Sequence, residues 1–253
     1  MAHPFITIAT QAARSASKII LRFMDQLHTI EITQKSTIED IVTQVDMLSE
    51  QEIIEHIKKA YPSHDILAEE NGLMKGKEDC EYCWIIDPLD GSTNYVHGFP
   101  HFAISIAVKK GDKIEAGVVY DPIRQELFSA VRGEGAFVDN RRIRVSETKK
   151  LETALIGTGF PFKKKQHIKP YLTTFESIFS EVSGIRRAGA AALDLAYVAA
   201  GRLDGFWEAS LAEWDMAAGS LLIQEAGGLI TDFQGGDNYL FAGNIVAGSP
   251  KIQ

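Results

Sequence analysis

The chain has 253 residues, 45% of them hydrophobic and 24% charged, with 34 Asp+Glu against 26 Lys+Arg and a formal net charge of −8. This length and apolar content suit one large folded domain or two smaller ones and argue against disorder, while the acidic balance argues against a protein built mainly for non-specific nucleic-acid binding. No apolar run approaches the roughly 20 residues that span a bilayer, and the N-terminus lacks a basic segment leading into an apolar core and cleavage site, so a cytoplasmic location with no membrane partner is expected.

Apolar residues recur at Phe5, Ala9, Ala12, Ala13, Ala16, Ile19, Ile20, Phe23, Met24 and Leu27, which predicts one face of a long helix. After a polar segment through Lys35 and Ser36, the run Asp40-Ile41-Val42-Thr43-Gln44-Val45-Asp46 leads into a second helix with Leu48, Ile53, Ile54, Ile57 and Ala60 on its buried side, stopped at Tyr61-Pro62-Ser63. Asp46 is thereby expected near a helix start, where a carboxylate is stabilised by the helix dipole.

Ile66-Leu67-Ala68 reads as a short strand ending in Glu69 and Glu70, and the polar, glycine-containing Gly72 to Glu81 reads as a mobile loop. The only cysteines, Cys80 and Cys83, form a C-x-x-C without a second pair, which fits reduced loop thiols better than zinc. Trp84-Ile85-Ile86 is apolar and β-prone and ends at Asp87; Pro88 stiffens the turn to Asp90, so the two carboxylates can converge on one point. Gly91 permits close backbone approach to a ligand, and Ser92-Thr93-Asn94 suits the opening of a helix whose free amides attract an anion. Two neighbouring strands ending in acids would gather Glu69, Asp87 and Asp90 into a cluster that repels itself unless cations sit within it, and hard oxygen ligands suit Mg²⁺.

His97-Gly98-Phe99-Pro100 reads as a turn, with His97 a turn residue rather than a ligand. Strands at Phe102 to Val108, Ile114 to Tyr120, Leu127 to Val131 and Ala136 to Val138, joined by short polar or Gly/Pro turns, predict an antiparallel meander. Arg141, Arg142 and Arg144 alternate with Ile143 and Val145 and suit a solvated strand face. A boundary near Lys149 divides an N-terminal part, residues 1–148, from a C-terminal part, residues 149–253, of alternating strands and helices.

In that second part Leu155 to Gly159 is a strand, Lys163-Lys164-Lys165 a solvated basic run, His167 to Phe179 a helix and Ile185-Arg186-Arg187 a strand. The helix opening at Gly189-Ala190-Ala191 is either an anion or polyol cradle or simply a good alanine helix. Leu203 to Glu208 is a strand, Trp214 to Ala226 a helix ending at Gly227-Gly228, and Leu229 to Thr231 a last strand before the Gly235-Gly236-Asp237-Asn238 turn. Taken alone, Asp215 reads as an N-cap.

Together, Asp40-x-Val42-Thr43-x-x-Asp46, Glu69-Glu70, Asp87-Pro88-Leu89-Asp90-Gly91-Ser92-Thr93-Asn94 and Trp214-Asp215-Met216-Ala217-Ala218-Gly219 with Glu225-Ala226-Gly227-Gly228 resemble the signatures of the inositol monophosphatase family, in its SuhB-like branch. The resemblance implies an α+β fold, a layered αβαβα sandwich shared with fructose-1,6-bisphosphatase-type enzymes, and a lithium-sensitive, Mg²⁺-dependent phosphomonoesterase with two to three ions per site. It overrides the capping readings of Asp46 and Asp215. By it, one Mg²⁺ falls to Glu69, Asp87 and the Leu89 carbonyl, a second to Asp87, Asp90 and Asp215, and a weaker third lies near Glu69 with Asp46 acting through water.

The resemblance also makes Glu69 and Ser92, with Asp46 and Thr43, the groups that orient the attacking water. It assigns the phosphate to the amides of Gly91 and Ser92, and the substrate's hydroxyls and polyol wall to Glu208, Asp215, Gly189, Ala190 and Ala191. Ser92 and Ala190 stand where many members carry threonine or serine, and the sequence stops at Pro250-Lys251-Ile252-Gln253 without the terminal helix of many relatives. The expected substrate is inositol 1-phosphate. The same chemistry on fructose 1,6-bisphosphate, histidinol phosphate or a 3′-phosphonucleotide is the nearest alternative, and a transcription antitermination role with its own protein partners is a second. The family suggests a homodimer.

Overall fold

The computed structural model describes residues 3–27, 38–78, 80–161 and 165–253. Helices α1 (Pro4–Leu27) and α2 (Ile38–Ala60) pack on one face of an eight-stranded sheet, which comprises β1 (Asp65–Ala68), β2 (Gly72–Met74), β3 (Tyr82–Asp90), β4 (Ala103–Lys110), β5 (Lys113–Asp121), β6 (Glu126–Val131), β7 (Gly135–Val138) and β8 (Arg141–Arg142) in the order β2-β1-β3-β4-β5-β6-β7-β8. Among these only β1 and β3 are parallel. The short helix α3 (Ser92–Val96) leaves the end of β3.

A five-stranded sheet follows, ordered β10-β9-β11-β13-β12, from β9 (Leu155–Thr158), β10 (Gly184–Arg186), β11 (Gly205–Ala209), β12 (Leu229–Thr231) and β13 (Asn244–Gly248). Helix α4 (Ile168–Phe179) covers its outer face through Tyr171, Phe175 and Ile178, which pack on Ala154, Ile156 and Trp207. Helices α5 (Ala191–Ala199) and α6 (Glu213–Glu225) lie between the two sheets, and α7 (Tyr239–Ala242) precedes β13. The result is the expected stack of helix, sheet, helix, sheet and helix.

Period-two burial explains why the middle strands are apolar along their length. Trp84 and Ile86 face α1 and α2, whereas Ile85 between them faces α5 and α6; Ile104, Ile106 and Val108 likewise oppose Ala103 and Ala107. Small side chains bring the inner helices close. Gly219 of α6 lies against Leu195 of α5, where an added Cβ would sit 2.6 Å from the Leu195 Cβ, and one on Gly117 of β5 would sit 3.0 Å from the Ala218 Cα.

Four expectations need correction. Asp46 does not open a helix: α2 begins at Ile38, and the buried positions Val45, Ser49, Ile53 and Ile57 continue one helical face past it. The predicted loop Gly72 to Glu81 begins as strand β2, paired antiparallel with β1 through Ile66 opposite Met74. The strand through Arg144 is only Arg141–Arg142, both exposed. Beyond Asn238, α7 and β13 were not anticipated, although β13 bridges β11 and β12. Lys163 and Lys164 and the polar segment at Lys35 and Ser36 lie outside the described residues, as do the side chains of Lys165 and Thr43. Cys80 and Cys83 are free thiols, and among the described residues no helix is long and apolar enough to cross a membrane.

A Gly219→Ala change tests the helix contact. Alanine gains about 1 kcal/mol of helix propensity, but the obstruction is a Leu195 Cβ that cannot swing aside, so overpacking dominates. The expected net loss is about 1–2 kcal/mol, read as a drop of several degrees in thermal midpoint by calorimetry.

Candidate active site

Parallel pairing of β1 with β3 sets Ala68 opposite Ile86, and the Glu69 N–H continues the ladder to the Ile86 carbonyl at 3.2 Å, so Glu69 and Asp87 leave adjacent strands at the same end. Between Asp87 and Asp90 the register with β4 shifts: Asp87 pairs with Ser105 and Asp90 with Ala103, leaving an extra residue on β3. Pro88, which has no N–H to give to the ladder, sits in this bulge. The Asp87 carboxylate accepts a 3.0 Å bond from the Leu89 N–H, fixing the turn.

Asp90 is held from across the molecule. Its Oδ2 accepts a 2.7 Å bond from the Ala192 N–H at the start of α5. Gly91 adopts φ +92°, and a Cβ there would come within 3.1 Å of the Ala190 Cβ and 3.2 Å of the Gly189 carbonyl. The two walls therefore touch, and the Asn94 Nδ2 fastens them by donating to the carbonyls of His101 (2.7 Å) and Ala188 (2.8 Å).

Asp215 arrives on α6, whose first turn is anchored to β4. The Ser105 hydroxyl donates to the Trp214 carbonyl (3.1 Å), and Lys109 pairs with Glu213 at 2.6 Å. Asp215 is thus the third residue of the helix rather than its N-cap, and it accepts a 2.7 Å bond from the Ala212 N–H.

Carboxylate oxygens of Asp87, Asp90 and Asp215 lie within 4.8 Å of one another. With Glu69, Leu89, Gly91, Ser92, Gly189, Ala191 and Glu208 they line one cleft of about 270 Å³. Burial, then Asp90, Glu69 and Asp215, pushes the Asp87 carboxyl well above the usual carboxylate range; burial and then Asp215 do the same to Asp90. Every neighbouring charge that acts on Asp87 is another carboxylate, and such a set is relieved by a hard cation. Glu208 is raised to about 8 by burial and by Asp194 and Asp215, with Arg187 opposing.

Two expected residues stand apart from the cleft wall. Ala190 is buried against Gly91 and does not line the cleft. Asp46 is 8% exposed in α2, with an Oδ1 that has no hydrogen-bond partner among the described residues; burial, then Glu69, Glu70 and Glu50, raises it to about 8. Nothing is described of the Thr43 side chain.

Glu50 was missed. Fully buried one turn beyond Asp46, it accepts from the backbone N–H groups of Glu70 and Asn71, both at 2.9 Å, and from the Asn71 side-chain amide at 2.7 Å, so it pins the turn that carries Glu69. Its i+4 spacing from Asp46 was the available signal. Also unforeseen were Arg187, Phe160 and Pro161 in the cleft wall, and buried Asp194, 3.4 Å from the His101 Nε2.

Sheets and helices in alternating layers, with buried carboxylates gathered beside a glycine-serine helix start, define the class of metal-dependent phosphatases. The chain belongs to the inositol monophosphatase family, whose model matches residues 1–253. It is 54% identical over 251 residues to Nus factor SuhB of Pseudomonas aeruginosa, covering 98% of this chain and 92% of that one, and 49% identical over 250 residues to Nus factor SuhB of Escherichia coli K12, covering 99% and 93%. Its structure superposes on inositol monophosphatase from Anabaena with a TM-score of 0.87 at 38% identity, covering 98% of this chain and 91% of that one.

Three outcomes follow. Asp46 has a folded-state pKa near 8 against an ordinary 3.8, so in metal-free protein its contribution to stability is fully present below about pH 4 and is lost as pH rises toward 8. A divalent cation must displace such protons, so its affinity should rise from pH 6 to 8 with proton release at neutral pH, measured by calorimetry in buffers of different ionisation enthalpy. Glu50→Ala, which strands two backbone donors, should cost about 2–4 kcal/mol in denaturant unfolding and weaken divalent-cation binding, with Glu50→Gln milder on both.

Proposed function

We propose that the chain is a Mg²⁺-dependent phosphomonoesterase that hydrolyses inositol 1-phosphate and related myo-inositol monophosphates to inositol and phosphate. The observation that carries this is the convergence of Asp87, Asp90 and Asp215 with Glu69, Gly91 and Ser92 on a single cleft. Glu69, Asp87, Asp90, Asp215 and the Leu89 carbonyl are the groups to hold Mg²⁺, with Asp46 reaching a further ion through water, two to three ions in all. Bound Mg²⁺ neutralises phosphoryl oxygens and acidifies water, which a phosphate monoester dianion with a poor alkoxide leaving group requires.

The chain's own groups do the positioning. The first N–H groups of α3, at Gly91 and Ser92, have no obligatory intrahelical acceptor and are available to the phosphate. Glu69 and the Ser92 hydroxyl, supported by Asp46 and Thr43, orient a water in line with the ester bond, and the Glu69 carboxylate takes up its proton. The water oxygen bonds to phosphorus, the P–O bond to the alcohol breaks, and the departing alkoxide takes a proton from a second water, whose hydroxide receives the proton held by Glu69, so no covalent enzyme intermediate is needed. Glu208, whose carboxyl is held by burial well above the usual carboxylate range, is the group to hydrogen-bond a substrate hydroxyl. Asp215 accepts from another hydroxyl, while Gly189 and Ala191 form the polyol wall with Ala190 behind them.

Lithium sensitivity, a homodimer and a cytoplasmic location belong to the same reading, as does the choice of inositol 1-phosphate over other sugar and nucleotide phosphates. A second activity is favoured by the close relatives that carry the name Nus factor SuhB: a transcription antitermination role, with its own protein partners, separable from catalysis.

Asp90→Asn keeps an acceptor for the Ala192 N–H while removing a ligand charge. Phosphate release from inositol 1-phosphate with Mg²⁺ should fall about a hundredfold or more, with an unchanged circular dichroism spectrum, and a transcription role should survive. Near-normal turnover in this variant would refute the assignment.

A further inference from the structure

The phosphate cleft opens into a second chamber. Pro161, Ala209 and Ser210, which line the cleft, also line an adjoining pocket of about 360 Å³. Its floor is aromatic: the Tyr171 and Trp207 rings are stacked, with centroids 6.3 Å apart and planes at 20°. Tyr171 is fixed by its hydroxyl, 3.1 Å from the Thr158 hydroxyl, and by the Phe160 ring edge-on at 5.6 Å. Phe233, 52% exposed, and Thr174 on the exposed side of α4 belong to the wall.

Two further features mark this chamber. Ser210, at the junction with the cleft, has φ +70°, a left-handed conformation costly for a residue with a Cβ and common where function constrains the backbone. Trp207 is 5% exposed, and its Nε1 finds no hydrogen-bond partner among the described residues. A buried indole N–H is ordinarily paired, and here it is not.

We propose that this pocket is a second subsite, which takes an aromatic or heteroaromatic ring borne by the alcohol half of the phosphate monoester. The proposal rests on the phosphatase reading above and extends it: the phosphate and a polar ring occupy the cleft, and a flat ring beyond them lies against Tyr171 and Trp207. Among the described residues, none that lines the pocket is Asp, Glu, Lys or Arg. Against Pro161, Pro170, Tyr171, Trp207 and Phe233 a second phosphate or a polyol would lose hydration over much of its surface. A ring loses nothing of that kind and gains offset stacking together with burial.

The test compares two pairs of ligands that differ only in the ring: phenyl against methyl β-glucoside 6-phosphate, and adenosine 2′-phosphate against methyl riboside 2-phosphate. Dissociation constants are measured by titration calorimetry with Mg²⁺ present. The aromatic member of at least one pair should bind about tenfold tighter, and which pair responds tells an aryl glycoside from a nucleoside. Thr174→Trp, which fills the chamber from α4, should abolish that ratio; because the ratio is taken on one protein, a general loss of binding does not imitate it. Equal affinity within both pairs, including no binding by any member, would overturn the subsite, as would a ratio that survives Thr174→Trp. Inositol 1-phosphate hydrolysis is assayed separately: an aromatic preference without that turnover keeps the subsite and removes the proposed reaction.

Discussion

Mutual repulsion among buried carboxylates is the constraint on which the rest of this structure depends. Asp87 and Asp90 are at most 9% exposed and share a small volume with Asp215, an arrangement that opposes folding unless protons or cations relieve it. The fold supplies the opposing rigidity. Sheet pairing fixes Glu69 beside Asp87, the bulge at Pro88 turns Asp90 into the same space, and the anchoring of α6 on β4 delivers Asp215. Each acid is held by main-chain N–H groups or by the register of a strand, so its direction does not depend on a flexible partner.

The inner helices connect this acid cluster to the opposite wall. The N-terminus of α5 gives an N–H to Asp90, and Asn94 fastens the helix start after β3 to the segment before Gly189. Glycine at 91 and small residues at 189 and 190 let these walls meet at van der Waals distance. A side chain at Gly91 would face backbone and Cβ atoms, none of which can rotate away.

Much of this was legible in the residues. Apolar runs ending in acids announced β1 and β3 and their shared end, because strand burial and strand termination are local properties. The signatures around Asp87, Glu69 and Asp215 then indicated which acids belong together. What escaped was non-local or hidden by helical context. Asp46 was placed at a helix start because the apolar face was followed only from Leu48 onward, but burial of Val45 and Ser49 carries α2 through it. Glu50 acts on a turn 20 residues away, and β13, five residues long, was passed over although its Ile245-Val246-Ala247 is apolar. The pairing of Asp194 with His101 needs two elements that only the fold brings together.

The hydrogen bond from the Ala192 N–H to Asp90 spans 102 positions of chain. Contacts of such separation close late, since loop-closure entropy is met before they return any stabilisation. The acids of β1 and β3 can therefore be ordered by the first sheet while Asp90 still lacks its partner and Asp215 has yet to dock. If these acids hold the proposed cation, tight chelation is a property of the finished molecule: a chain that has made only the first sheet would carry the acids without the grip.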